Sequence, residues 1–212
     1  MDLGVSVRSL PGPGETTSGM GFLMTPGGKG ANQAVAAARM GAQVAMVGRV
    51  GADQFGRDLI SSLSASGVDV SSVAVDSQSD TGLAIIQVDV DGQNTISAVY
   101  GANMACGDDQ LEEVRKKLLG ADVLLLQSEV PLGVSVAAAR AAGETDTQVV
   151  WDPAPAVNIP VEAYPLLAVL TPNQSEAAHI TGFEIENVAD AARAAGVILE
   201  RGCGACAITL GH

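Results

Sequence analysis

The chain has 212 residues, a formal net charge of −13, 47% hydrophobic residues and only 3% aromatic residues. That balance excludes a basic surface for nucleic-acid phosphates and an aromatic platform for base stacking, and it argues against binding to anionic membranes. No apolar run approaches the ~20 residues that span a bilayer, and the first residues lack the basic and then apolar pattern of a secretory signal, so a cytoplasmic location is expected.

A single α/β domain over residues 1–212 is expected, with on the order of 70% of its unfolded surface buried. Residues 4–25 are expected to join a small β-layer. Helices are predicted over 31–39 and 53–66, with a short buried strand at 44–50 between them. Residues 81–102 read as the rest of the β-layer. Their alternating runs 83–90 and 94–100 flank Asp91-Gly92, which is a hairpin signal. From there on strands and helices alternate: helix 108–119, strand 123–126, helix 132–142, strand 149–152, strand 167–170, helix 174–181, helix 188–201 and strand 205–210. Near-continuous apolar strands separated by helices predict a doubly wound, mainly parallel sheet with flanking helices.

The densest local signal is Pro26-Gly27-Gly28-Lys29-Gly30-Ala31-Asn32-Gln33, which runs into an alanine-rich helical stretch. Paired glycines let a ligand approach the backbone closely, and the start of a helix favours anionic or oxygen-rich groups. It is not a Walker A loop, because Gly30 stands where Ser or Thr must follow the lysine. By itself the pattern also fits a tight turn that opens a helix.

Several further segments accompany it in order: Pro13-Gly14-Glu15-Thr16, Val47-Gly48-Arg49-Val50-Gly51-Ala52-Asp53-Gln54-Phe55-Gly56, Gly101-Ala102-Asn103, Asp152-Pro153-Ala154-Pro155-Ala156, Thr171-Pro172-Asn173-Gln174-Ser175-Glu176 and Ile208-Thr209-Leu210-Gly211-His212. With residues 27–41 they resemble the ribokinase-like (PfkB) family of sugar kinases, most closely its ribokinase branch, along essentially the whole chain. The resemblance implies a ribokinase-like fold in which the β-layer is a lid over the sugar and often a homodimer contact. It implies in-line phosphoryl transfer from ATP to the hydroxymethyl of D-ribose or a similar sugar. A fructokinase or nucleoside kinase of the same family, or a non-catalytic sugar-binding remnant, are the alternatives.

Carried over residue by residue, the resemblance assigns the sugar to Asp2, Gly28, Lys29, Asn32 and Glu129. It assigns the nucleotide to Asn173, Thr209 and Gly211, and magnesium, through water, to Glu176. Mg²⁺ retains several waters and needs few direct carboxylates, which suits that last role. Asn173 and Glu176 also fit a plain helix cap with an acidic first turn. Arg49 and Asp53 are expected to be structural. The family's Gly-Ala-Gly-Asp motif, which carries the catalytic base and anion hole, is not found in these residues. Nor is the strand and Asn-x-Asp lead-in before Asp2, so the fold is expected to be incomplete at both termini, and this chain alone is expected to be feebly active and marginally stable.

Cys203-Gly204-Ala205-Cys206 has Cys-x-x-Cys spacing, but Cys106, His179 and His212 offer no paired spacing to complete a zinc site. These cysteines lead from a helix into a strand, the reverse of a redox motif, and are expected to be structural thiols in a reducing compartment.

Overall fold

The computed structural model describes residues 1–211, which divide into two compact units, the first ending at Ala105 and the second starting at Cys106.

In the first unit, β1 (Asp2–Val7), β2 (Gly19–Thr25), β5 (Leu83–Val88) and β6 (Asn94–Val99) form one four-stranded sheet in the order β2-β1-β5-β6. β1 runs antiparallel to β2 but parallel to β5, and β5 runs antiparallel to β6. The β-layer expected at 4–25 and 81–102 is thus a mixed sheet, since its two parts meet through the parallel β1–β5 pair. The hairpin is longer than an Asp-Gly turn. The Asp89 side chain accepts hydrogen bonds from the N–H groups of Asp91 and Gln93, and Gly92 takes φ +79°, so five residues connect Val88 to Asn94.

The same unit holds α1 (Lys29–Arg39), β3 (Ala45–Gly51), α2 (Gln54–Ala65) and β4 (Asp69–Asp76). β3 and β4 pair in parallel as a sheet of two. The sequence pattern predicts no strand at β4, where Asp69, Ser71, Ser72 and Asp76 interrupt the apolar run. Its carboxylate Asp76 is held by Arg49 of β3 at 3.3 Å and by the Gln78 N–H at 2.7 Å. Small residues let α1 lie close to this pair: Ala34 packs with Leu63 and Val68, flanked by Ala31, Val35, Ala38 and Met46.

In the second unit, β7 (Val123–Leu126), β8 (Gln148–Trp151), β9 (Val169–Leu170) and β10 (Ala205–Cys206) make an all-parallel sheet in the order β10-β9-β8-β7. α3 (Asp108–Leu118), α4 (Leu132–Ala142), α5 (Gln174–Thr181) and α6 (Val188–Glu200) accompany it. Trp151, Tyr164, Leu170 and Ile198 are fully buried in its core, against the alanine face of α4. Burying side chains of this size contributes about 1.5–3 kcal/mol each. The strand expected over 205–210 is much shorter. After Cys206 the Ala207 N–H bonds Leu170 O and the Thr209 N–H bonds Pro172 O, with an isolated parallel bridge between Asn173 and Thr209.

Candidate functional site

The glycine-rich loop enters α1 two residues earlier than the sequence suggested, because Gly28 takes φ +100° and acts as the residue before the helix. A residue with a Cβ is strained there. Gly28, as the residue before the helix, makes no side-chain cap bond at this end of α1. Gly27 is buried, and a Cβ on it would collide with the carboxylate of Asp2. The structure therefore brings Asp2 against the loop that carries Gly28 and Lys29. Asn32, exposed, lies one turn further along, where its N–H bonds the Gly28 carbonyl at 2.9 Å.

Register shows what shares Asp2's side of the sheet. Thr25, Asp2, Ala84 and Ala98 are directly opposed across the four strands, and Leu23, Gly4, Ile86 and Ile96 form the next row on the same face. The opposite face carries Met24, Leu3 and Ile85, then Phe22 and Val5. The sequence alternation placed residues on two faces of the hairpin, but only the parallel β1–β5 pairing tells which face belongs with Asp2.

Glu129 belongs to the second unit, three residues past the end of β7. Its loop is anchored by the Ser128 N–H, which donates to Ala154 O at 3.1 Å, and by Trp151 Nε1, which donates to Ser128 Oγ at 3.3 Å. Asp152 follows β8 directly at the same C-terminal edge. Ligands of parallel α/β sheets gather at that edge.

Asn173, Thr209 and Gly211 line one cavity of about 600 Å³, together with Gln174, Ser175, Glu184, Ile185 and Glu186. The sequence carries no signal for Glu184 and Glu186 in this lining, since nothing in residues 182–187 marks them beyond turn composition. α5 begins with a reciprocal cap. Asn173 Oδ1 accepts the Glu176 N–H at 2.9 Å, and Glu176 Oε2 accepts the Asn173 N–H at 2.8 Å. Glu176 is only 7% exposed, and the cap that these residue types allow is formed in both directions.

Among the described residues no cluster of three or more His, Cys, Asp or Glu is arranged to hold a metal directly, and no helix is long and apolar enough to cross a membrane. Cys106, Cys203 and Cys206 are free thiols. Burial, and then the neighbouring Cys203, push the Cys206 thiol up to about 11. Cys203 is also raised by burial, and its S–H donates to Ala205 O.

The whole chain, residues 1–212, matches the pfkB family of carbohydrate kinases. The chain belongs to that family. It is 37% identical to the ribokinase of Haemophilus influenzae over 207 residues, which covers 98% of this chain and 68% of that protein. It is also 37% identical to mouse ribokinase over 209 residues, covering 98% of this chain and 65% of that protein. The crystal structure of Arabidopsis thaliana ribokinase with ribose and ATP superposes with a TM-score of 0.85 at 32% identity, over 99% of this chain and 69% of that one. The chain thus spans about two thirds of the length of these three proteins. The ribokinase-like α/β fold expected from the motifs is the fold observed.

Proposed function

We propose that this chain is part of an ATP-dependent sugar kinase acting on D-ribose or a closely similar sugar. The observation that carries the proposal is the seating of the Asp2 carboxylate against Gly27, at the uncapped start of α1 and beside Lys29 and Asn32. A carboxylate acceptor, an ammonium donor and an amide that does both are what a polyhydroxylated ligand needs. Asp2 accepts from two hydroxyls, Lys29 donates, Asn32 does both, and the close backbone of Gly28 admits the ring. The Asp2 side of the four-stranded sheet is the lid, and Ala84 and Ala98 give it an apolar surface suited to a sugar's C–H face.

The nucleotide is assigned to the cavity at Asn173, Thr209 and Gly211. Mg²⁺ is assigned to Glu176, which would hold it through water, as suits an ion that keeps most of its hydration and is otherwise bound by phosphates. When bound it offsets negative charge on the transferring phosphoryl group. The chain's own residues supply positioning, the main requirement of such a transfer. The 212 residues include no Gly-Ala-Gly-Asp sequence, so no catalytic base is assigned among them.

A homodimer through the lid is part of the proposal. Phe22, Met24 and Ile85, 68%, 47% and 45% exposed, share the face turned away from Asp2. A cytoplasmic setting is proposed from the three free thiols.

The test is calorimetric titration of the chain with D-ribose, D-fructose and adenosine. D-ribose binding that Asn32→Ala weakens at least about tenfold, a loss near 1.4 kcal/mol, supports the reading. Equal ribose binding by the two chains, or preference for adenosine, overturns it.

A further inference from the structure

The β5–β6 hairpin is joined to the β3–β4 layer through residues 77–82, and one carboxylate holds that segment in place. Asp53, just before α2, accepts the Gly56 N–H at 2.8 Å and the Thr81 hydroxyl at 2.7 Å on Oδ1, and the Thr81 N–H at 2.7 Å on Oδ2. The Thr81 hydroxyl in turn accepts the Gly51 N–H at 2.9 Å. Thr81 is 3% exposed.

The glycines of this region have no room for anything larger. A Cβ on Gly51 would meet the Thr81 nitrogen at 2.5 Å, one on Gly56 would strike the Gly51 carbonyl, and one on Gly82 would meet the Tyr100 carbonyl at 2.7 Å. A Cβ on Gly101 would strike the Asp80 carbonyl, which also accepts the Ala102 N–H at 2.8 Å. Both roots of the hairpin are therefore stitched to the segment that Asp53 grips. Three residues beyond Thr81, Ala84 of β5 pairs in register with Asp2 of β1.

We infer that Asp53 and Thr81 are positioning residues for the sugar, setting where β5, and through its register Asp2, stands over the start of α1. This rests on the sugar reading of Asp2 proposed above. A plain helix cap needs only the bond to Gly56. The second carboxylate oxygen, spent wholly on Thr81, is what the anchoring role requires. Asp53→Asn keeps the cap while setting an amide donor against one of the Thr81 donors, and Thr81→Val keeps the shape while removing the hydroxyl. Either change leaves a buried donor or acceptor without its partner.

Native-state hydrogen exchange of the ligand-free chain reads the anchor directly. In Asp53→Asn and Thr81→Val, amides of β5 and β6 are expected to exchange about tenfold faster, while α2 and β3–β4 change far less. Thr81→Ser restores slow exchange. D-ribose affinity is expected to fall by at least about tenfold in the first two variants and to stay near the original in Thr81→Ser. Unchanged β5 exchange, or faster exchange spread evenly over the unit, overturns the inference. So does an unchanged ribose affinity where the original chain binds ribose. If the original chain binds no ribose, the sugar reading fails, and β5 exchange still decides whether Asp53 anchors the hairpin.

Discussion

The carboxylate of Asp2 occupies the space in which a side chain on Gly27 would begin. Gly27 lies in the turn that separates β2 from α1, and Asp2 of β1 stands against it. Gly27→Ala must push Asp2 off its position, because a two-bond carboxylate has little freedom to retreat. Ribose affinity is expected to fall at least about tenfold. The measurement is titration calorimetry beside a thermal melt; retained affinity would show that Asp2 does not hold the sugar.

The α5 cap separates two roles of Glu176. Glutamine at that position can still accept the Asn173 N–H, so Glu176→Gln is expected to melt within about 2 °C of the original chain while losing affinity for Mg·ATP. Asn173→Ala removes the acceptor for the Glu176 N–H and is expected to cost about 0.5–2 kcal/mol of stability. Thermal melts with nucleotide titrations, with and without Mg²⁺, distinguish these. Equal Mg·ATP binding by Glu176→Gln and the original chain would leave Glu176 as a cap alone.

Acid stability should report the Asp53 anchor. Burial works to raise the Asp53 carboxyl, but hydrogen bonds from Thr81 and Gly56 and the charge of Arg57 hold it below the usual 3.8. Asp76 is likewise held below it, chiefly by the Gln78 N–H against burial, with help from Arg49. A depressed carboxylate stabilises the fold fully above its unfolded value and loses that contribution as the pH falls through its folded value. The stability gap between the original chain and Asp53→Asn is therefore expected to be constant near neutrality and to shrink below pH 3.8. Denaturant titrations at stepped pH check this; a gap that widens on acidification would contradict it.

The thiols should be sluggish. With Cys206 pushed to about 11, only about a thousandth is thiolate at pH 8, and thiolate is the reactive form. Native labelling with a disulfide reagent is expected to be slow and to become fast on unfolding. Rapid native formation of a Cys203–Cys206 disulfide would revive a redox role for the Cys-x-x-Cys spacing.

Local signals made much of the second unit legible. Val123–Leu126, Leu132–Ala142 and Gln174–Thr181 stand where apolar runs, the alanine stripe and the Asn-x-x-Glu cap placed them. β4 was hidden because its polar residues are satisfied by partners distant in sequence, such as Arg49 for Asp76. The strand after Ala205 was overread, because an apolar run does not show whether a neighbour will pair with it. Among the site residues, the glycine loop and the Asn173–Glu176 pair were legible as motifs.

By itself the sequence determined the family, the starts of α3 to α6 and the chemical types at the site, because these depend on residue identity at short spacing. Only the tertiary structure decided that Asp2 lies against Gly27, that Ala84 and Ala98 share its face, and that Asp53 grips Thr81 across 28 residues. Those relationships come from parallel strand pairing and from burial that leaves a donor one available acceptor. Both are properties of the packed chain and leave no periodic trace along it.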